Sequence, residues 1–131
     1  MAHVEIKTPK VYKSTSPFSH ATLTTGARIM HFTGQCAQGL PDGRTVGKGD
    51  ITKQAEQAFE NMKALVEAGG GTMGDICKIR IYLTTRDSIP AVKEVRRRYF
   101  REPFPATTVL QVAGLDDPDW LIEVEATAVL P

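Results

Sequence analysis

The stretch "DITKQAEQAFENMKALVEAGGGTMGDICKIRIYL", residues 50–83, contains two different hydrophobic periods and decides the fold. From Ile51 to Val66, apolar residues recur every three or four positions, which is the pattern of a helix with one buried face. In residues 76–83, apolar and polar residues alternate, which is the pattern of a half-buried strand. The stretch therefore predicts a helix that packs against a sheet.

Both ends of this helix are marked in the sequence. Asp50 is a suitable N-cap, because its carboxylate can accept hydrogen bonds from the free amides of the first turn. The glycines at 69–71 predict the C-terminal end, since glycine adopts the positive φ angles found there at little cost.

The same two periods predict the remaining elements. The expected strands are 4–7, 21–24, 29–33, 106–112 and 121–129, and a second helix is expected at 89–100. The strands at 21–24 and 29–33 would form a hairpin that turns at Gly26. The order β-β-β-α-β-α-β-β predicts one α+β domain over residues 1–131, with two helices on one face of a mostly antiparallel sheet of about six strands.

The second face of this sheet is too apolar in part to be left in water. Alternation assigns to it Tyr82, Thr107, Val109, Gln111, Leu121, Glu123 and Val129. No third helix remains to cover these side chains, so association of several chains is the expected solution.

Composition argues against several classes of protein. The 131 residues include 16 basic and 15 acidic ones, and this balance provides no field for steering nucleic acid or anionic membranes. No run approaches the roughly 18 apolar residues that span a bilayer, and no apolar leader is present, so a cytoplasmic protein is expected. Cys36 and Cys77 form no CxxC pair and the three histidines lack metal-ligand spacing, so buried thiols and no metal are expected.

Two charged clusters are candidates for chemistry. Glu123 and Glu125 share one face of the last strand, about 7 Å apart. One of them could act as a general acid or base in an interface cleft, or both could be solvated charges at a rim. The run "RRR" at 96–98 could contact phosphate, or it could be a solvated helix face whose charge is diluted by Glu94 and Glu102.

Five segments resemble a known family when taken in order. They are "FTGQ" (32–35), "PDGRTVGKGDITKQAEQAFENMKALVEAGGG" (41–71), "DICKIRIYLT" (75–84), "PATTVLQVAGL" (105–115) and "IEVEATAV" (122–129). Together they resemble the RidA or YjgF family of reactive-intermediate deaminases. The resemblance implies a chorismate-mutase-like fold and a homotrimer, in which the sheets form an inner barrel and ligand clefts lie between subunits.

The resemblance also implies a chemistry. Deaminating members hydrolyse a 2-imino acid, or its enamine tautomer, to a 2-keto acid and ammonia without metal or organic cofactor. Carried across by position, Glu123 matches the glutamate that handles water, and Gly34 and Thr33 match the glycine and serine that line the cleft. Glu123 is therefore the expected catalytic residue, and the expected ligand is a small molecule.

The chain departs from the family's pattern in the expected cleft. Thr107 stands where the family has the arginine that clamps the substrate carboxylate, and Phe18 and Val109 replace a tyrosine and a cysteine. On the second helix, Lys93 and Arg96 replace an asparagine and a tyrosine. Losing a bidentate guanidinium contact costs on the order of 3 kcal/mol, or about a hundredfold in affinity, because a threonine hydroxyl is one neutral donor.

Three interpretations of the missing arginine remain open. Either Lys93 or Arg96 brings the positive charge from the helix, or the cleft has become more apolar and accepts a neutral or aromatic molecule. In the third, Thr107 is a strand-forming residue that arose by drift after the function was lost or altered. The expected substrate-binding residues are Phe18, Thr33, Gly34, Lys93, Thr107 and Val109. The first expected function is an imine or enamine hydrolase of altered substrate range; a non-catalytic binding or sensing trimer comes second, and an endoribonuclease last.

Overall fold

The computed structural model describes residues 3–10, 15, 17, 19–24 and 28–131, and the elements within them follow the predicted order. The strands are β1 (His3–Ile6), β2 (Ala21–Thr24), β3 (Arg28–Gln35), β4 (Ile76–Leu83), β5 (Ala106–Gln111) and β6 (Ile122–Leu130). The helices are α1 (Ile51–Ala68) and α2 (Ile89–Tyr99). The predicted turn at Gly26 lies outside the described residues.

The strands form two sheets instead of the predicted single sheet of about six strands. One sheet has four strands in the order β3-β6-β4-β5, and the other consists of β1 and β2. β5 is parallel to β4, while the other pairings are antiparallel. The predicted hairpin of β2 and β3 is wrong, because β2 pairs with β1 and β3 pairs with the nine-residue β6. The longer strand offers β3 more hydrogen bonds than the four-residue β2 would.

The predicted ends of α1 are confirmed. The Asp50 side chain accepts a hydrogen bond from the Lys53 backbone amide at 3.1 Å. After the helix, Gly70 has a φ of +92°, which favours glycine. A Cβ on Gly71 would lie 2.5 Å from Leu130 Cδ2, so close packing against β6 also requires glycine in this segment.

Both helices pack on one face of the four-stranded sheet. The alternating residues Ile79 and Ile81 of β4 and Val124 of β6 are fully buried under them. Phe59 of α1 stacks on Tyr99 of α2, with ring centroids 5.4 Å apart. Each large apolar side chain buried in this layer contributes roughly 1.5–3 kcal/mol, and these side chains hold the helices to the sheet.

The register of β5 corrects the predicted composition of the second face. Thr107 pairs with Ile79 and Val109 pairs with Ile81, so both residues lie on the side of the sheet that the helices cover. Val109 also packs against the buried core. The helix-free face carries Thr108 instead, whose Oγ1 accepts a hydrogen bond from Lys78 Nζ at 3.1 Å. Alternation shows that two sets of residues face opposite ways, but it does not show which set faces the helices.

Among the described residues, no helix is both long enough and apolar enough to cross a membrane.

Candidate functional site

Glu123 lies directly against the backbone of Gly34. The pairing of β3 with β6 is irregular between Phe32 and Gln35, and Gly34 sits within this irregular segment. A Cβ on Gly34 would lie 2.7 Å from Cδ of Glu123 and 2.8 Å from its Cγ, which is closer than real side chains approach. Only glycine leaves room for this carboxylate, so the structure brings together two of the predicted site residues.

Cys36 completes the surroundings of the Glu123 carboxylate. The thiol is only 2% exposed, and burial is the main reason why its pKa rises to about 12. The charge of Glu123 and a hydrogen bond with its carboxylate raise the pKa further. At neutral pH the thiol is therefore protonated, so it is not a nucleophile and it donates to Glu123. The prediction of a buried thiol is confirmed for Cys36.

Glu125, the other candidate carboxylate, is occupied by neighbouring side chains. Its Oε1 accepts hydrogen bonds from the Tyr82 hydroxyl at 2.5 Å and from Arg80 Nη1 at 3.4 Å. The hydrogen bond to Glu125 is the main cause of the raised pKa of Tyr82. In contrast, no basic side chain among the described residues forms an ion pair with Glu123. Of the two carboxylates, Glu123 is the one left available to a water molecule or a ligand.

Thr33 occupies an exposed position next to Gly34 on β3. Its carbonyl oxygen accepts a hydrogen bond from Gln35 Nε2 at 3.2 Å. The residues Thr33, Gly34, Cys36 and Glu123 are called the Glu123 side of the candidate site below. Chemically, a carboxylate with no cation bound, held against a glycine, can orient a water molecule and accept its proton.

The remaining predicted residues lie on the opposite side of the sheet. The Thr107 hydroxyl donates to the Pro105 carbonyl oxygen at 3.0 Å, and Val109 packs against the core. Lys93 is half-buried on α2, which packs on this same side through Val92 and Val95. Thr107, Val109 and α2 are called the Thr107 side below. Phe18, the last predicted residue, lies outside the described residues.

Arg96 differs from the two arginines that follow it. Arg97 and Arg98 are solvent-accessible and form ion pairs with Glu94 at 3.7 Å and Glu56 at 3.1 Å, as a solvated helix face would. Arg96, however, is only 3% exposed, and its Nε is buried without a hydrogen-bond partner. Burial, followed by the charge of Arg97, lowers its pKa to about 10.

The interpretation of residues 96–98 as a solvated face is therefore wrong at Arg96. A signal for this was present in the sequence, because position 96 lies one turn after Val92 and so continues the apolar stripe of α2. Because Arg97 and Arg98 follow directly, position 96 looks like part of one charged run, although it belongs to the apolar stripe.

No group of three or more His, Cys, Asp or Glu side chains that could hold a metal ion is found within the part of the chain that the structure describes. The Glu123 side offers a carboxylate, a thiol and a hydroxyl, whereas the Thr107 side offers a hydroxyl, an apolar side chain and the cationic side chains of α2.

Comparison with known proteins identifies the family. The profile of the family described as Endoribonuclease L-PSP matches residues 8–130, nearly the whole chain. The chain belongs to this family, RidA/YjgF. The resemblance of the five sequence segments to RidA/YjgF proteins is thus confirmed.

Individual RidA/YjgF relatives match over nearly their full length. A 2-iminobutanoate/2-iminopropanoate deaminase of Dermatophagoides farinae is 33% identical over 125 residues, which cover 95% of this chain and 94% of the relative. A RutC family protein of Pyrococcus abyssi is 34% identical over 128 residues, 98% of each chain. The crystal structure of YyfB from Yersinia pestis, a Rid-family protein of unknown function, is 30% identical with a TM-score of 0.91, covering 99% of this chain and 100% of that one. The α+β fold with two helices and a mixed four-stranded sheet is therefore that of RidA/YjgF structures.

Proposed function

We propose that this RidA/YjgF protein hydrolyses a 2-imino acid or its enamine tautomer to a 2-keto acid and ammonia, without a cofactor. The observation that carries the proposal is the Glu123 carboxylate, which lies against Gly34, receives the Cys36 thiol and has no cation bound among the described residues. Relatives about one-third identical over nearly the whole chain that carry the name of such a deaminase support it.

The reaction needs one group that can move a proton. Glu123 holds a water molecule and accepts its proton while the water oxygen adds to the imine carbon, which gives a tetrahedral carbinolamine. The same carboxyl group then delivers the proton to nitrogen, and the carbon–nitrogen bond breaks to release ammonia. In this second stage the carbinolamine hydroxyl gives its proton to the Glu123 carboxylate, which passes it to the leaving nitrogen, and the hydroxyl oxygen becomes the carbonyl of the 2-keto acid. Water and imine are consumed in equal amounts, and the carboxylate returns to its starting state.

The active unit in this proposal is a homotrimer, in which the helix-free faces of the sheets form an inner barrel. Within one chain the sheet separates the Glu123 side from the Thr107 side, so a single chain does not assemble all the predicted residues. Association would place the Glu123 side of one subunit against the Thr107 side of the next, which completes a cleft. The helix-free face also exposes Ile29 and Leu110, apolar side chains that such a barrel would cover.

We propose an altered substrate range, because Thr107 does not replace the arginine clamp. Its hydroxyl donates to Pro105 O of its own chain, which leaves no charge and no free donor for a substrate carboxylate. Beside it, Val109 is apolar. These two residues also favour the second candidate function, a non-catalytic trimer that binds or senses a small molecule.

Ammonia release tests the proposal. Imino acids of increasing size, generated in situ from amino acids by an amino acid oxidase, are offered to the wild-type protein and to Glu123→Gln. We expect Glu123→Gln to lose at least about a hundredfold in rate, the typical contribution of a general base. Glu125→Gln is the matched control on the same strand face, and its rate should stay within a few-fold of wild type.

Two results would count against the proposal. No ammonia release above buffer for any imino acid would leave the binding or sensing trimer as the better explanation. A monomer in light scattering would remove the interface cleft.

A further inference from the structure

Arg96 carries a positive charge that nothing in the described chain balances. The residue is 3% exposed, and its buried Nε has no hydrogen-bond partner. Buried charges in proteins are normally paired, because removing an ion from water is unfavourable unless another group replaces the water. The missing partner is thus a feature that the fold alone does not explain.

The acidic side chains that reach α2 are bound elsewhere. Glu56 of α1 pairs with Arg98 at 3.1 Å, and Glu60 accepts a hydrogen bond from the Tyr99 hydroxyl at 2.8 Å. Glu94 of α2 pairs with Arg97. The influences on the pKa of Arg96 agree, since burial and Arg97 both disfavour its charge and no carboxylate favours it.

The position of Arg96 relates it to the candidate site. Val92 and Val95, which flank it on the buried face of α2, belong to the core that contains Ile79 and Ile81. Thr107 and Val109 pair with these two isoleucines and face the same side of the sheet. Arg96 therefore lies between α2 and the sheet, on the same side of the sheet as Thr107 and Val109.

We propose that Arg96 binds the carboxylate of the substrate, replacing from the helix the guanidinium that is missing at Thr107. A guanidinium offers a carboxylate two parallel hydrogen bonds, which a lysine does not. Arg96 is better suited than Lys93 because it is buried and unpaired, so an entering anion would be held away from water. The proposal rests on the proposed function for the identity of the substrate, but the anion site itself does not depend on catalysis.

Binding of a short 2-keto acid, the product of the proposed reaction, tests the inference separately from turnover. Titration calorimetry with 2-ketobutyrate compares wild type, Arg96→Met, Lys93→Met and Arg97→Met. Arg97→Met is the matched control, since it removes the same charge from the next, exposed position. We expect Arg96→Met to lose about a hundredfold in affinity and the two other variants less than about threefold.

A second ligand and a conservative variant distinguish charge recognition from a folding defect. The neutral amide of the same keto acid should bind wild type and Arg96→Met with similar affinity. Arg96→Lys should recover part of the carboxylate affinity, because the charge returns without the paired donors.

The outcomes separate this inference from the proposed function. If wild type releases no ammonia but Arg96 still controls carboxylate binding, the deaminase proposal fails and the anion site stands. Unchanged carboxylate affinity in Arg96→Met, or loss only in Lys93→Met, would overturn the role of Arg96. Dissociation of the oligomer in Arg96→Met with intact carboxylate binding would assign the side chain to a subunit interface instead, and would also overturn it.

Discussion

Replacing Gly34 by alanine is expected to disable the protein by moving Glu123. The new Cβ would lie 2.7 Å from Cδ of Glu123 and 2.8 Å from its Cγ, whereas carbon atoms in contact prefer about 3.5–4.0 Å. The carboxylate must therefore retreat by about 1 Å. Misplacing a catalytic group by this distance costs about a hundredfold in rate, so we expect kcat for imine hydrolysis to fall by about that factor.

Gly114→Ala is the matched control for this substitution. A Cβ at Gly114 meets nothing within 4 Å, so the variant adds the same methyl group without a clash. Ammonia release should stay near the wild-type rate in Gly114→Ala. Circular dichroism and thermal unfolding of both variants show whether they are folded, since overpacking at Gly34 costs about 1–3 kcal/mol of stability.

The double variant Gly34→Ala with Glu123→Gln shows whether glycine acts through the carboxylate. If it does, adding Gly34→Ala to Glu123→Gln should change the rate little further, because the group it displaces is already inactive. A kcat of Gly34→Ala within threefold of wild type, or a full additional loss in the double variant, would refute the reasoning.

Three other substitutions or reactions test separate contacts. In the absence of ligand, Arg96→Met should raise the free energy of unfolding in urea by about 1–4 kcal/mol, because it removes a buried unpaired charge. A free energy of unfolding below that of wild type would contradict this. Alkylation of Cys36, followed by mass spectrometry, should be slow at pH 8 and accelerate as the pH rises towards the thiol pKa of about 12. Alkylation should be faster in Glu123→Gln, because this variant lacks the charge that raises the thiol pKa. Gln54→Leu should lower the free energy of unfolding by at least about 2 kcal/mol, because the buried amide bonds the backbone at Gly47, Asp119 and Leu121; an unchanged urea midpoint would show that these bonds contribute little.

The sequence predicted those elements whose signals are local. The limits of α1 follow from its own periodicity, from Asp50 and from the glycines after it, and the structure agrees because each signal acts within one turn of the helix. The family could also be recognised from the sequence, because five segments match the family's motifs in the same order.

The features that the sequence did not predict depend on contacts between distant segments. Alternation predicts the wrong side of the sheet for Thr107, because the facing of β5 depends on its parallel pairing with β4. The pairing of β2 with β1 likewise results from competition for partners that no local pattern reveals. At Arg96, the charge of the side chain suggested exposure, whereas its position in the stripe of α2 decided its burial.

The separation of the predicted site residues onto the two sides of one sheet has a consequence for the genetics of the protein as well as for its chemistry. In the proposed trimer, a chain defective at Glu123 still supplies a sound Thr107 side, and a chain defective at Arg96 still supplies a sound Glu123 side. If the two inactive chains mix at random, about a quarter of the clefts would contain both intact halves. Two individually inactive alleles would then complement each other in one cell, as single-chain active sites do not.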